Sequence, residues 1–333
     1  MSFFAILFAL LIEQVRPLAR GNPIHSGLRN WCRWVAGNFD AGKPHHGWVA
    51  WSLAVAGPAL ASLAIHVLLL VYAGWFFGML WSVAVLYVTL GFRQFSHHFT
   101  NIRDALDAGD EATARQLLAH WQQVDASELP RSEIVRHAIE YSVLAAHRHV
   151  FGVLACFSVL AAFGLGPAGA VLYRMSEFVD RFWQHSAKTA DHPVSSALLS
   201  AASRAWGAVD WLPARITALG FAVVGSFEEA IDCWRNYAQR FPNDNDGVIL
   251  AATSGAVNVR LGGEALKAAV FAPSQTGGFG TGVQSGVTLD STESTPGREA
   301  EIGHMRSIVG LVWRSVVLWM VLLALLTLAR LLG

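Results

Sequence analysis

The chain has 333 residues, 53% of them hydrophobic and only 14% charged, with a mean hydropathy of +0.40. Soluble domains carry about 25% charged residues, so this composition argues against an ordinary water-soluble globule and for a membrane protein. The 24 basic residues balance the 24 acidic ones, which leaves no electrostatic case for nucleic acid, and the thirteen tryptophans suit a bilayer interface.

Arginine is almost the sole cation, since the lysines are Lys43, Lys188 and Lys267 alone. Cys32, Cys156 and Cys233 are isolated, odd in number and without metal spacing, so no disulfide framework is expected.

The opening "SFFAILFALLIEQVRP" has about ten apolar residues, no basic residue ahead of them and no small-residue cleavage site after them. It reads as a buried or half-inserted helix, too short to span comfortably. Four spans are expected at about 48–71, 74–92, 150–172 and 311–332, with the first two separated near Ala73-Gly74. Arg314 and Arg330 lie near the ends of the last, where they can snorkel. The shorter apolar piece Ile216–Val224 is expected to be re-entrant or packed within protein. Residues 97–149 read as a polar helical hairpin. Gly109-Asp110 stops one helix and caps the next, whose Ala114, Leu117, Leu118 and Trp121 share a face, and another helix starts after Pro130. Residues 273–303, rich in Gly, Ser and Thr, read as a flexible loop. No strand alternation stands out, so the expected fold is all-α, a polytopic integral membrane protein forming a single domain over 1–333.

The histidine doublets His45-His46 and His97-His98, and the pair His147/His149, match no established zinc spacing. There is no nucleophile elbow and no phosphate loop, so no cofactor is evident from the residues themselves. Ser142 and Ser158 read as helix-packing hydroxyls. Glu177 and Asp180 fall at i, i+3 in "YRMSEFVDRFW", which suits either a metal or amine site, with Asp180 the metal candidate, or ion pairs with Arg174 and Arg181. In "VDWLPARITAL", Pro213 suits the first turn of a helix, and Arg215 either binds an anion or pairs with a carboxylate such as Asp210. In "PNDNDGVILAATSGAVNVRLGG", Asn243 to Asp246 can cap a helix whose Ala251/Gly255 and Ala252/Ala256 give small-xxx-small spacing. Gly262-Gly263 is expected to end that helix, and Arg260 to meet its last carbonyls or a phosphate.

These motifs together resemble the CobD/CbiB family, the membrane-bound adenosylcobinamide-phosphate synthases. "VDWLPARITAL" is similar to that family's N-Y-[IL]-P-A-R-L-[ST] segment, and "PNDNDGVILAATSGAVNVRLGG" to its P-N-x-x-W-x-E-A-x-x-A-G-A-L-G-[IV]-x-L-G-G-P segment. "VDASELPRSEIVRHAIE" and "LYRMSEFVDRFW" resemble two further family segments in the same order. The resemblance implies ATP-dependent joining of adenosylcobyric acid to an aminopropanol-type amine, with ATP and Mg²⁺ as possible cofactors. It implies Glu140 and Asp180 as catalytic residues and Arg215, Asn243, Arg260, Gly262 and Gly263 as binding residues. It further implies a multi-pass protein of the bacterial cytoplasmic membrane, with the lipid bilayer and a corrinoid or other amphiphilic ligand as partners and a homo-oligomer possible. The family's second Glu, its Asn and its Asp fall on Leu144, Ala145 and Arg148, and Glu177 stands where the family has Asn. Where those groups are missing, "VDWLPARITALGFAVVGSFEEAIDCW" is similar to AmpE proteins, inner-membrane components linked to β-lactamase induction. That second resemblance implies a sensing or regulatory role without catalysis.

Overall fold

The structure is a computed structural model that describes residues 2–15, 23–122, 124–189, 194–263 and 294–332. It is all-α: among the described residues no strand forms, and Val259 with Arg298 makes an isolated parallel bridge. In chain order the helices are α1 (Ser2–Val15), α2 (Pro23–Phe39), α3 (Pro44–Tyr72), α4 (Trp75–Thr89), α5 (Phe92–Asp107), α6 (Glu111–Gln122) and α7 (Arg131–Ala146). A π turn (His147–Phe151) leads into α8 (Gly152–Ala162), followed by α9 (Ala168–Thr189), α10 (Ser196–Val224) and α11 (Phe227–Tyr237). A short 3-10 turn then precedes α12 (Asp244–Val257) and the final α13 (Ile302–Leu332).

Four helical stretches are long and apolar enough to cross a membrane: Pro44–Tyr72, Arg131–Ala162, Ser196–Val224 and Ile302–Ala329. The break expected at Ala73-Gly74 is present, with Gly74 at φ +90° between α3 and α4. The set of long helices nevertheless differs from the expected one. Helix α4, expected as a span over 74–92, has 15 residues, about 22 Å at 1.5 Å per residue and shorter than a ~30 Å hydrocarbon core. The stretch expected to span at 150–172 is interrupted after Ala162 by a turn in which Gly164 and Gly166 take positive φ before Pro167. Its apolar part instead continues from α7, and 72% of the hydrophobic window in Arg131–Ala162 is buried within the protein. Ile216–Val224 is no short re-entrant piece but the last third of the 29-residue α10, and Pro213 lies inside that helix rather than in its first turn.

The contacts sort into two compact units. The first holds residues 1–91, 148–213 and 323–333. Its core joins Cys32 and Val35 of α2, Ala50, Ala54 and Val55 of α3, Phe178, Val179 and Trp183 of α9, and Leu198 and Ala202 of α10. The Trp183 indole donates to the Cys32 carbonyl at 3.3 Å, which ties α9 to α2. Helices α8 and α9 meet on glycines: Gly152 faces the Tyr173 ring and Gly169 the Cys156 carbonyl, each too close for a Cβ.

The second unit holds residues 92–147 and 214–322. The expected hairpin is there: Gly109 turns at φ +78°, and Asp110 accepts from the Thr113 amide at 2.9 Å to cap α6. At the centre lies α12, with Asn245 through Ala256 all buried. Asn243 caps it by accepting from the Asn245 amide at 3.2 Å, and Asp244 and Asp246 in the first turn suit the helix dipole. It ends at Asn258 in the left-handed conformation (φ +53°), four residues before the expected Gly262-Gly263 stop. Its small residues let α11 approach closely: a Cβ on Gly255 would fall inside the Glu229 carbonyl, and Gly225 abuts Ala256. Part of the expected loop 273–303 lies outside the described residues. The described part is anchored, with Thr295 and Leu261 exchanging backbone and hydroxyl bonds at 2.8–3.1 Å and Ser254 donating to the Thr295 hydroxyl at 2.7 Å.

Gly255→Ala is expected to destabilise the protein by about 1–3 kcal/mol, because backbone rather than a flexible side chain must move. Gly207→Ala, a helical position with open space around it, should be neutral or stabilising by up to about 1 kcal/mol. Thermal unfolding of the two purified variants in one detergent checks the contrast.

Candidate functional site

Within the second unit, two turns of α7 carry Glu133, Arg136, His137 and Glu140 at i, i+3, i+4 and i+7, so their side chains share a face. Glu140 is fully buried. Its Oε1 accepts from Arg136 Nη1 at 3.1 Å and from the Gly262 backbone amide at 2.7 Å. Its Oε2 lies 3.3 Å from His137 Nδ1. Arg136 also donates to Glu133 through Nε at 2.9 Å and through Nη2, and its Nη2 is 2.9 Å from His137 Nε2. With Nε2 receiving from the guanidinium, the proton of a neutral His137 sits on Nδ1, facing Glu140.

Gly262 (φ +82°) and Gly263 (φ +119°) hold conformations that favour glycine. The first turns its N–H to Glu140, and the second brings backbone alongside the Arg136 guanidinium, whose Cζ would be 3.7 Å from a Cβ. The structure therefore joins Glu140 to Gly262, 122 residues away in the chain, and sets Gly263 beside Arg136. Arg136, His137 and Thr295 were not singled out by the sequence reading. The spacing of Glu133, Arg136 and Glu140 carries the signal for the first two, while nothing in the Gly/Ser/Thr-rich run marks Thr295.

At the start of α12, Arg215 Nη1 donates to Asn245 Oδ1 at 3.1 Å, and Asn243 Nδ2 donates to Asp246 Oδ2 at 3.1 Å. These amides and carboxylates bind one another and the helix end, so Asn243 has a capping role independent of any ligand. The Arg260 side chain is exposed, and its backbone N–H donates to the Arg298 carbonyl at 2.8 Å. His147, in the same unit, pairs its Nδ1 with Thr217 Oγ1 at 2.9 Å. Ser142 donates to the Ala138 carbonyl, as a helix-packing hydroxyl does.

Glu177 and Asp180 lie on α9 in the first unit. Glu177 Oε2 accepts from Arg174 at 2.8 Å, and its Oε1 lies 3.3 Å from Arg181. The ion-pair reading of Glu177 is the one realised. Burial opposes its ionisation, but Arg181, Arg174 and Arg148 outweigh burial and hold the carboxyl below its usual range. Arg148, on the π turn, is thus one of three arginines that favour the ionised Glu177. Asp180 is different: burial pushes its carboxyl up to about 6, against a hydrogen bond from Gln184 at 3.0 Å. Among the described residues no three His, Cys, Asp or Glu side chains converge as a metal site.

Two outcomes follow. Glu140→Leu should cost about 3–5 kcal/mol by leaving Arg136 short of a buried partner, and Arg136→Met added to it should restore part of the loss; a double-mutant cycle on thermal stability measures this coupling. Asp180 has the opposite character. Its folded pKa near 6 exceeds the unfolded value near 4, so its stability penalty is absent below pH 4, grows as pH rises and is complete above about 6. Asp180→Asn should therefore raise the melting temperature at pH 8 by a few degrees and by progressively less towards pH 5.

A family model described as "CobD/Cbib protein" matches residues 4–278. The Cobalamin biosynthesis protein CobD of Stutzerimonas stutzeri is 28% identical over 328 residues, covering 96% of each chain. The protein of that name from Chromobacterium violaceum is 34% identical over 183 residues, 55% of each chain. The Probable cobalamin biosynthesis protein CobD of Thermoplasma volcanium is 25% identical over 264 residues, 77% of this chain and 80% of that one. No solved structure matches. With a match running from residue 4 to residue 278, this chain belongs to the CobD/CbiB family.

Proposed function

We propose that the protein acts in cobalamin biosynthesis as a synthase of the bacterial cytoplasmic membrane, joining adenosylcobyric acid to an aminopropanol-type amine at the expense of ATP. The relatives' names support the pathway. The observation that carries the site is the buried bond from the Gly262 amide to Glu140, which unites two motifs of the family resemblance in one place.

In this reading Glu140 and Asp180, each within its own unit, have separate roles. Glu140, sealed from solvent and held by Arg136, positions the Gly262–Gly263 backbone as a surface that a ligand can approach closely. Asp180 handles protons: an amine must be neutral to attack an acyl group, and a carboxylate titrating near 6 accepts a proton from it at neutral pH without holding that proton too tightly. Asp180 also fits a Mg²⁺ carried by ATP, which is bound by one or two carboxylates together with phosphates; Glu177, committed to two arginines, does not. Bound ATP would supply the activation of the acyl group. The exposed Arg260 is the cation offered to anionic groups of the substrates, while Arg215 holds Asn245 at the start of α12.

The AmpE-like regulatory reading is less favoured, because the relatives reported above carry cobalamin-biosynthesis names. Expression in a strain lacking its own cobinamide-phosphate synthase should restore cobalamin-dependent growth. Asp180→Asn should abolish rescue although it makes the protein more stable, which separates a chemical role from a folding one. Absence of rescue by the unaltered protein, with normal amounts in the membrane fraction, would refute the synthase.

A further inference from the structure

The two ends of α3 differ in polarity. At its start lie exposed Lys43 and His45, and Asp40 accepts from the Ser195 amide at 2.8 Å. At the Tyr72 end there is no formal charge, for residues 44–92 contain no Asp, Glu, Lys or Arg. The same holds for residues 150–173, which carry the turn between α8 and α9. The two uncharged turns are neighbours within the first unit. A Cβ on Gly166 would overlap the ring of His66, less than two turns before the end of α3.

What these turns present is large and mostly aromatic. Tyr72 is 83% exposed, Phe163 78% and Trp75 59%, with Phe76, Phe77 and Leu165 exposed beside them. The surface continues the outward face of α3, where Leu60, Val67, Leu68 and Val71 are exposed and the most apolar window of the helix is only 22% buried. That helix is long and apolar enough to cross a membrane, so its outward face meets acyl chains. From the exposed Trp48 to Tyr72 it rises about 36 Å at 1.5 Å per residue, against a hydrocarbon core of about 30 Å. Aromatic side chains thus mark both ends of one bilayer thickness.

Water, hydrocarbon and the boundary between them make different demands on such a surface. Contiguous exposed aromatics with no charge among them are disfavoured in water. Hydrocarbon conflicts with the backbone: Gly74, Gly164 and Gly166 take positive φ in non-helical turns, and irregular backbone open to lipid is not tolerated in the core. The boundary layer accepts apolar rings and offers polar partners, and Trp and Tyr concentrate there.

We propose that the α3–α4 and α8–α9 turns form one aromatic tip seated in the headgroup–acyl boundary of a lipid leaflet, with the uncharged glycerol and ester layer as its partner. The tip holds by apolar burial and by the Tyr72 hydroxyl and Trp75 indole N–H. It selects depth rather than headgroup, unlike a basic patch, whose attraction to anionic lipid falls with salt. The proposal rests on the packing of the first unit and is independent of the synthase reading.

The test places a nitroxide label on the full chain in phosphatidylcholine nanodiscs, at Tyr72→Cys and separately at Phe163→Cys. Leu60→Cys on the outward face of α3 gives the hydrocarbon reference, and His45→Cys the aqueous one. The unaltered chain, whose three cysteines are buried or half-buried, gives the background. Collisions with oxygen, which partitions into lipid, are compared with collisions with a water-soluble nickel chelate. The oxygen-to-nickel ratio at both tip positions should lie several-fold above that of His45→Cys and below that of Leu60→Cys. It should not change when phosphatidylglycerol replaces part of the phosphatidylcholine. A ratio matching His45→Cys places the tip in water, and one matching Leu60→Cys places it in hydrocarbon; either overturns the proposal. So does shielding from both reagents, the signature of a second copy covering the tip, and so does a ratio that moves with lipid charge. Should one tip variant misfold, the other decides, with the exposed Trp75→Cys in reserve.

Discussion

A helix enclosed by protein on every side can form only if its side chains are small where neighbours press and its ends find partners nearby. Helix α12 meets both demands, and the second unit is organised around it. Gly247 and Gly255 let the Ala238 and Glu229 carbonyls lie where a side chain would otherwise stand. Asn243 closes the first turn, and Asn258 reverses the chain at the last. The strand-like exit after Asn258 then needs its own partners, and the Thr295–Arg298 segment supplies them. Only because that exit is held on one side by Thr295 does the Gly262 amide arrive at Glu140 on the other. The candidate site is thus the end of a chain of constraints that begins with glycine packing.

Much of this was legible in the sequence, for physical reasons that can be named. The break at Ala73-Gly74, the Gly109-Asp110 turn and the Asn243 cap each depend on local backbone chemistry, which a short stretch of sequence carries in full. Only Ile216–Val224 of helix α10 stands out as apolar in the sequence, because Arg204, Asp210, Pro213 and Arg215 dilute a hydrophobic pattern that nevertheless continues for 29 residues. The end of α12 was placed late because Gly262-Gly263 is the familiar stop, whereas an asparagine in the left-handed conformation did the stopping. Pairings across long stretches of chain were beyond reach. Nothing local reveals that a threonine at 295 completes the hydrogen bonds of Leu261, or that Arg136 stands over Gly263.

The replacements that set this chain apart from its family pattern also become intelligible. Leu144 and Ala145 are buried apolar residues in the middle of a long helix, where loss of two polar groups is simply a more hydrophobic interior. Arg148 brings a positive charge and Glu177 a negative one, and the first favours the ionised form of the second, so the two new charges attract rather than repel.

The mutual bonds between Leu261 and Thr295 have an architectural consequence. They tie the exit from α12 to the approach to α13, positions 34 apart in the chain, so the backbone at Leu261 is held from two directions at once. A helix of small residues has little side-chain bulk with which to fix its own exit, and here that task passes to a single threonine hydroxyl that donates to one backbone group and accepts from another.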